Sequence, residues 1–128
     1  MFKKSKNDNT FIGSDSKIEG NLTGKGILRI YGEVIGDIVM DGDVIIGESG
    51  EVNGNITSQT LLIGGTVIGD VIAREQLRVV SKGKLLGNIQ TKSMIVDENA
   101  MFKGMSEMLT SEEIESQKEE ENKVYRKK

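Results

Sequence analysis

The chain has 128 residues, enough for one domain with tails, and carries 16 glycines, no proline, no cysteine and no histidine, with a formal net charge of −3. Without cysteine there is no disulfide or thiolate metal site, and without histidine the commonest general base and metal ligand is gone. The mild acidity leaves no electrostatic footprint for nucleic acid, and no apolar run approaches a membrane span or a secretion signal, so a cytosolic protein is expected.

Residues 1–9 form a short tail in which Phe2 stands among Lys3, Lys4 and Lys6. Lysines near an anionic leaflet contribute roughly 1 kcal/mol each, and a buried phenylalanine adds roughly 2 more. One such tail binds a membrane marginally; a polymer presenting many would bind well, because avidity multiplies weak contacts. The plainer alternative is an ordinary solvated N-terminus. Phe at position 2 rules out N-myristoylation.

Residues 10–106 repeat a phrase: aliphatic, any residue, Gly, Asn or Asp, aliphatic. It reads Ile18-Glu19-Gly20-Asn21-Leu22, then Val34-Ile35-Gly36-Asp37-Ile38, Val52-Asn53-Gly54-Asn55-Ile56, Val67-Ile68-Gly69-Asp70-Val71 and Leu85-Leu86-Gly87-Asn88-Ile89. A worn copy, Phe102-Lys103-Gly104-Met105-Ser106, follows. The glycines lie 16, 18, 15, 18 and 17 residues apart, and a second apolar marker running from Ile12 to Val96 keeps the same mean period of about 17. Glycine-punctuated Val, Ile and Leu suit short strands, and the lack of proline suits a chain that needs nearly every backbone N–H for a ladder. The pattern predicts an all-β, single-domain parallel β-helix of about six coils, a rod roughly 29 Å long at the usual strand spacing.

Period-two alternation places the first and last residues of each phrase inside, with glycine between them where a side chain would collide at a narrow corner. The outward Asn/Asp column next to the glycines predicts a hydrogen-bonded ladder rather than a calcium site, which would need a denser Gly and Asp repeat. The other outward column includes Ile35, Ile68 and Leu86, an aliphatic stripe that suits a lateral or partner surface unless a tail covers it. Residues 107–128 change to a charged tail, disordered or a short helix, with Thr110 and Glu113 spaced as a capping box.

Two enzyme readings fail. Gly20-Asn21-Leu22-Thr23-Gly24-Lys25 has three residues between its glycines and is followed by Gly26 where a phosphate loop needs Ser or Thr, so no nucleotide is expected. The hexapeptide β-helix of acyltransferases does not hold register, since Ile18 to Leu22 and Val52 to Ile56 are steps of four. No catalytic residue, cofactor or metal is expected.

The recurrent Val/Ile-x-Gly-Asp/Asn-Ile/Val phrase at this spacing, in six coils between short tails, resembles the bactofilins, a bacterial family of polymer-forming cytoskeletal proteins. The start Met1-Phe2-Lys3-Lys4-Ser5-Lys6 also resembles the membrane-targeting start of many members. The resemblance implies a right-handed β-helix that polymerises end to end, without nucleotide, into apolar filaments. These would scaffold client proteins at the inner face of the cell membrane, in cell shape, wall synthesis or motility. Physical reasoning agrees: a β-helix has two open ends, and no convincing cap stands at either. The expected contacts are Phe102, Met101 and Met94 at the C-terminal end, and Phe11 and Ile12 at the N-terminal end. The alternatives are that Phe102 plugs the core, and that a monomeric adaptor uses the aliphatic stripe.

Overall fold

Every coil is built from two kinds of strand, and the computed structural model, which describes residues 9–110, contains fourteen strands and no helix among them. Long strands β3 (Leu22–Ile30), β5 (Ile38–Ile46), β7 (Ile56–Ile63) and β9 (Val71–Val79) stack between β1 (Asn9–Ile12) below and β11 (Ile89–Thr91) and β12 (Met94–Val96) above. A last strand, β14 (Ser106–Met108), pairs with β11. Three-residue strands β2 (Lys17–Glu19), β4 (Glu33–Ile35), β6 (Glu51–Asn53), β8 (Thr66–Ile68), β10 (Lys84–Leu86) and β13 (Met101–Lys103) form the second sheet. All pairings are parallel. The predicted parallel β-helix of about six coils is the fold observed. The lysines and Phe2 of the N-terminal tail, and residues 111–128 of the C-terminal tail, lie outside the described residues.

The predicted inward columns are present in register. Ile18, Val34, Val52, Val67, Leu85 and Phe102 are successive partners in the short-strand sheet. Leu22, Ile38, Ile56, Val71 and Ile89 are successive partners in the other. Their central members are fully buried, each stabilising the fold by about 1.5–3 kcal/mol relative to exposure.

The uneven glycine spacing comes from the corners. Between long and short strands the chain makes either a four-residue turn, at 13–16, 47–50, 80–83 and 97–100, or a two-residue corner, at 31–32 and 64–65. The four-residue turns at 47–50 and 80–83 give the 18-residue spacings around them, and the two-residue corner at 31–32 the 16-residue spacing. The 15-residue spacing combines a two-residue corner with β7, which has 8 residues where its neighbours have 9. Bulges opposite that shortened strand, between Val39 and Asp43 in β5 and between Ala73 and Gln76 in β9, restore register on both sides.

A further inward column escaped the apolar pattern: Met40, Ser58, Ala73 and Thr91 are all buried. The two hydroxyls hide by donating within their own segment, Ser58 Oγ to the Thr60 carbonyl at 2.9 Å and Thr91 Oγ1 to the Ser93 carbonyl at 3.1 Å. Arg74, also buried, lies in the β9 bulge, where it and Glu75 stand opposite Gln59.

The repeat glycines are required by the coil below. A Cβ on Gly69, whose φ is +148°, would lie 2.1 Å from the carbonyl oxygen of Gly54, and the other stacked members meet the same obstacle. Gly20, in the first coil, has φ +135° and nothing within 4 Å. Beside the glycines runs the predicted ladder, in a side-chain-to-backbone form. Asn21 Oδ1 accepts from the Asp37 amide at 3.0 Å, Asp37 from Asn55 at 3.0 Å, Asn55 from Asp70 at 2.9 Å, and Asp70 from Asn88 at 3.1 Å.

Two outcomes are expected from thermal unfolding. Gly20→Ala should cost on the order of 1–3 kcal/mol from backbone strain alone, whereas Gly69→Ala should abolish cooperative folding or cost clearly more; equal costs would contradict the carbonyl clash. In the ladder, Asn55→Ala removes an acceptor and should cost about 1 kcal/mol, while Asp70→Asn keeps the acceptor and should change stability little.

Candidate functional site

The C-terminal end is where the columns run out. Val96 continues the buried column of Ile46, Ile63 and Val79, yet it is 41% exposed because β12 has no described strand above it. Met108 continues the column of Ala73 and Thr91, both fully buried, and is itself 53% exposed. Phe102 and Met94 are half-buried and pack against the core from this end. The end is therefore an apolar core section bordered by strands β13, β14 and β12, each paired on one side only among the described residues.

The expected end residues do not all gather there. Met101 lies on the outward side of β13, in register with Lys84, and faces sideways. Val96 and Met108 were absent from the expected set, although continuing the period-two alternation through Thr91 leads to Met108 and the second apolar marker ends on Val96. The ladder also ends here: Asn88 Oδ1 accepts from the Met105 amide at 3.3 Å, but Met105 offers no oxygen to a further coil.

At the N-terminal end, Ile18 and Leu22 are half-buried members of the first coil that pack against the core. Ile12 is already buried. Phe11 points outward from β1, 60% exposed, and meets Tyr31 edge-to-face with ring centroids 5.1 Å apart. Tyr31 sits at a two-residue corner between the longer turns at 13–16 and 47–50, which leaves a lateral hollow of about 430 Å³ lined by Phe11, Ser14, Arg29, Tyr31 and Ser49.

The short-strand sheet presents its outward side as one lateral face. Ile35, Ile68 and Leu86 occupy equivalent positions on β4, β8 and β10, with Asn53 between the first two, and Ile68 is 40% exposed. A parallel column runs Lys17, Glu33, Glu51, Thr66, Lys84 and Met101. Among the described residues no cluster of three acidic side chains is placed to hold a metal ion.

Comparison with known proteins agrees with this geometry. The family model described as "Bactofilin: Polymer-forming cytoskeletal" matches residues 10–107. The chain is similar to the Thermus thermophilus bactofilin in double helical filaments, reconstructed by cryo-electron microscopy. The two share 27% identity over 78% of this chain and 99% of that one, with a TM-score of 0.75. It is also similar to a crystal structure of a phenylalanine-to-arginine mutant of the Thermus protein, at 26% identity over 70% and 99% of the two chains, with a TM-score of 0.66. Curated protein sequences yield no significant match. A family match that spans the coils from the first strand to the last leads to one conclusion: this chain belongs to the bactofilin family of polymer-forming cytoskeletal proteins.

Proposed function

We propose that this protein polymerises end to end, without nucleotide, into filaments that serve as a scaffold at the inner face of the cell membrane. The observation that carries this reading is the uncovered core at the C-terminal end. Val96 and Met108 stand exposed in columns whose next members are fully buried. Adding a second copy would continue both the apolar columns and the strand edges, the two things that stabilise every internal coil. Contacts of like end with like end are isologous, and their alternation gives a filament without polarity. The Thermus relative forms double helical filaments, and we carry a two-stranded filament over to this chain.

In this reading Phe102, with Met94 and Val96 beside it, is the main apolar contact of the C-terminal joint, and Met101 lies at its outer margin. Ile18 and Leu22 make the opposite joint with Ile12 behind them, and Phe11 lies at its margin. Phe2, Lys3, Lys4 and Lys6 bring the filament to an anionic membrane, where avidity along the polymer offsets the weakness of one tail. Client proteins in cell shape, wall synthesis or motility would then bind a continuous track.

Negative-stain electron microscopy without nucleotide should show filaments for the wild type and small particles for Phe102→Arg, because the substitution places an unpaired charge in the joint. Filaments persisting in a folded Phe102→Arg protein would overturn the assignment of the joint. Sedimentation with anionic vesicles should carry filaments down, and deletion of residues 2–6 should leave them in the supernatant. Unchanged pelleting after the deletion would remove the membrane contact.

A further inference from the structure

We infer that the outward face of the short-strand sheet pairs with the same face of a second copy, antiparallel, and that this contact joins the two strands of the filament. The inference rests on the two-stranded reading above and names its lateral partner. The charge on this face is distributed antisymmetrically along the rod. Glu19, Glu33 and Glu51 lie in the first three strands, with Lys17 alone opposing them at 3.9 Å from Glu19. Lys84 and Lys103 lie in the last two, with no acidic residue in β8, β10 or β13.

A two-fold axis perpendicular to the rod, between β6 and β8, brings the first strand of one copy against the sixth of the other, the second against the fifth, and the third against the fourth. Of the six matches that result, two join opposite charges, one joins aliphatic residues, and none sets like charges together. Glu19 faces Lys103, Glu33 faces Lys84 and Ile35 faces Leu86, while Asn53 faces Ile68, Glu51 faces Thr66 and Lys17 faces Met101. Opposite charges meet and apolar residues meet, which is what an isologous contact requires.

Two other lateral faces do not pass this test. On the second half of the long strands, Arg29, Ile45, Leu62 and Arg78 are successive partners. The same operation sets Arg29 against Arg78. At the bend of the long strands it sets Lys25 against Lys92. Of these three faces, the short-strand face is the one that brings opposite charges together.

The size of the face explains why the partner must be polymeric. Six strands at about 4.8 Å spacing and three residues of about 3.3 Å give roughly 290 Å² per copy. A stable pair of free proteins needs about 800 Å² per partner. One copy is therefore too small to hold another alone, whereas a row of copies in a filament adds these contacts together.

The chain has no cysteine, so engineered cysteines report the geometry cleanly. Ile35→Cys and Leu86→Cys proteins, mixed and mildly oxidised, should give a disulfide-linked mixed dimer on a non-reducing gel. Either protein alone should give several-fold less, because the axis holds like positions about 14 Å apart, beyond the reach of a disulfide. Adding Glu33→Lys to both proteins should lower the mixed cross-link several-fold, and adding Lys84→Glu as well should restore it. Cross-linking of each variant mainly with itself, or a loss that Lys84→Glu does not repair, would overturn the pairing. Filament length in the microscope reads the end joint separately, so failure of the polymer and failure of this face are distinguishable. Filaments of full length without the mixed cross-link would refute the face alone.

Discussion

Strand spacing at the corner is the constraint on which everything else here depends. Each coil must lie on the last at the distance of a parallel ladder, and at the phrase corner the approaching group is a backbone carbonyl. That oxygen cannot rotate away as a side chain can. A Cβ on Gly54 would lie 2.0 Å from the oxygen of Gly36, and one on Gly87 would lie 2.0 Å from that of Gly69. Glycine in these positions keeps the ladder unbroken through the corner, with the Gly36 amide donating to Asn53 and the Ile38 amide to Asn55. The amide between them would be left over, and the Asn or Asp below takes it. Glycine and its polar neighbour thus solve the two halves of one problem, steric and hydrogen-bonding, and this is why they repeat together.

That coupling made the fold legible in the sequence. A residue type demanded once per coil by backbone geometry cannot drift, so Gly20 through Gly104 marked the period even where coils differ in length. The buried columns on either side followed from alternation alone. What could not be read was the slack. Two-residue and four-residue corners preserve the same strand register, and the glycine spacing gives a coil's length without saying where its extra residues fall until the strands are placed. Ser58 and Thr91 were missed for a different reason: hydroxyls that donate to a nearby carbonyl sit in a core at little cost, so polarity concealed their burial.

The lateral faces were legible as composition but not as geometry. Ile35, Ile68 and Leu86 could be placed in one outward column from the repeat, yet the neighbouring column of Glu33, Glu51 and Lys84 acquires meaning only when six strands are ordered in one sheet. Phe11 shows the opposite limit. Its position beside Ile12 suggested the end of the rod, but successive strand residues point to opposite sides, and it lies outside against Tyr31 while Ile12 enters the core.

The final coil departs from the others in a consistent direction. Four of the six methionines, Met94, Met101, Met105 and Met108, lie in it, together with Phe102. A cap that keeps a solenoid monomeric would turn polar at this point, to hydrate the open strand edges and cover the core. Here the asparagine ladder gives way to Met105, and the buried column that held Thr91 gives way to an exposed Met108. Methionine is unbranched and polarizable, and it adapts to a surface whose shape is set by another molecule. The end joint we propose uses that property: two identical ends must fit each other without having been shaped as a pair of different surfaces, and flexible apolar side chains let one sequence supply both halves.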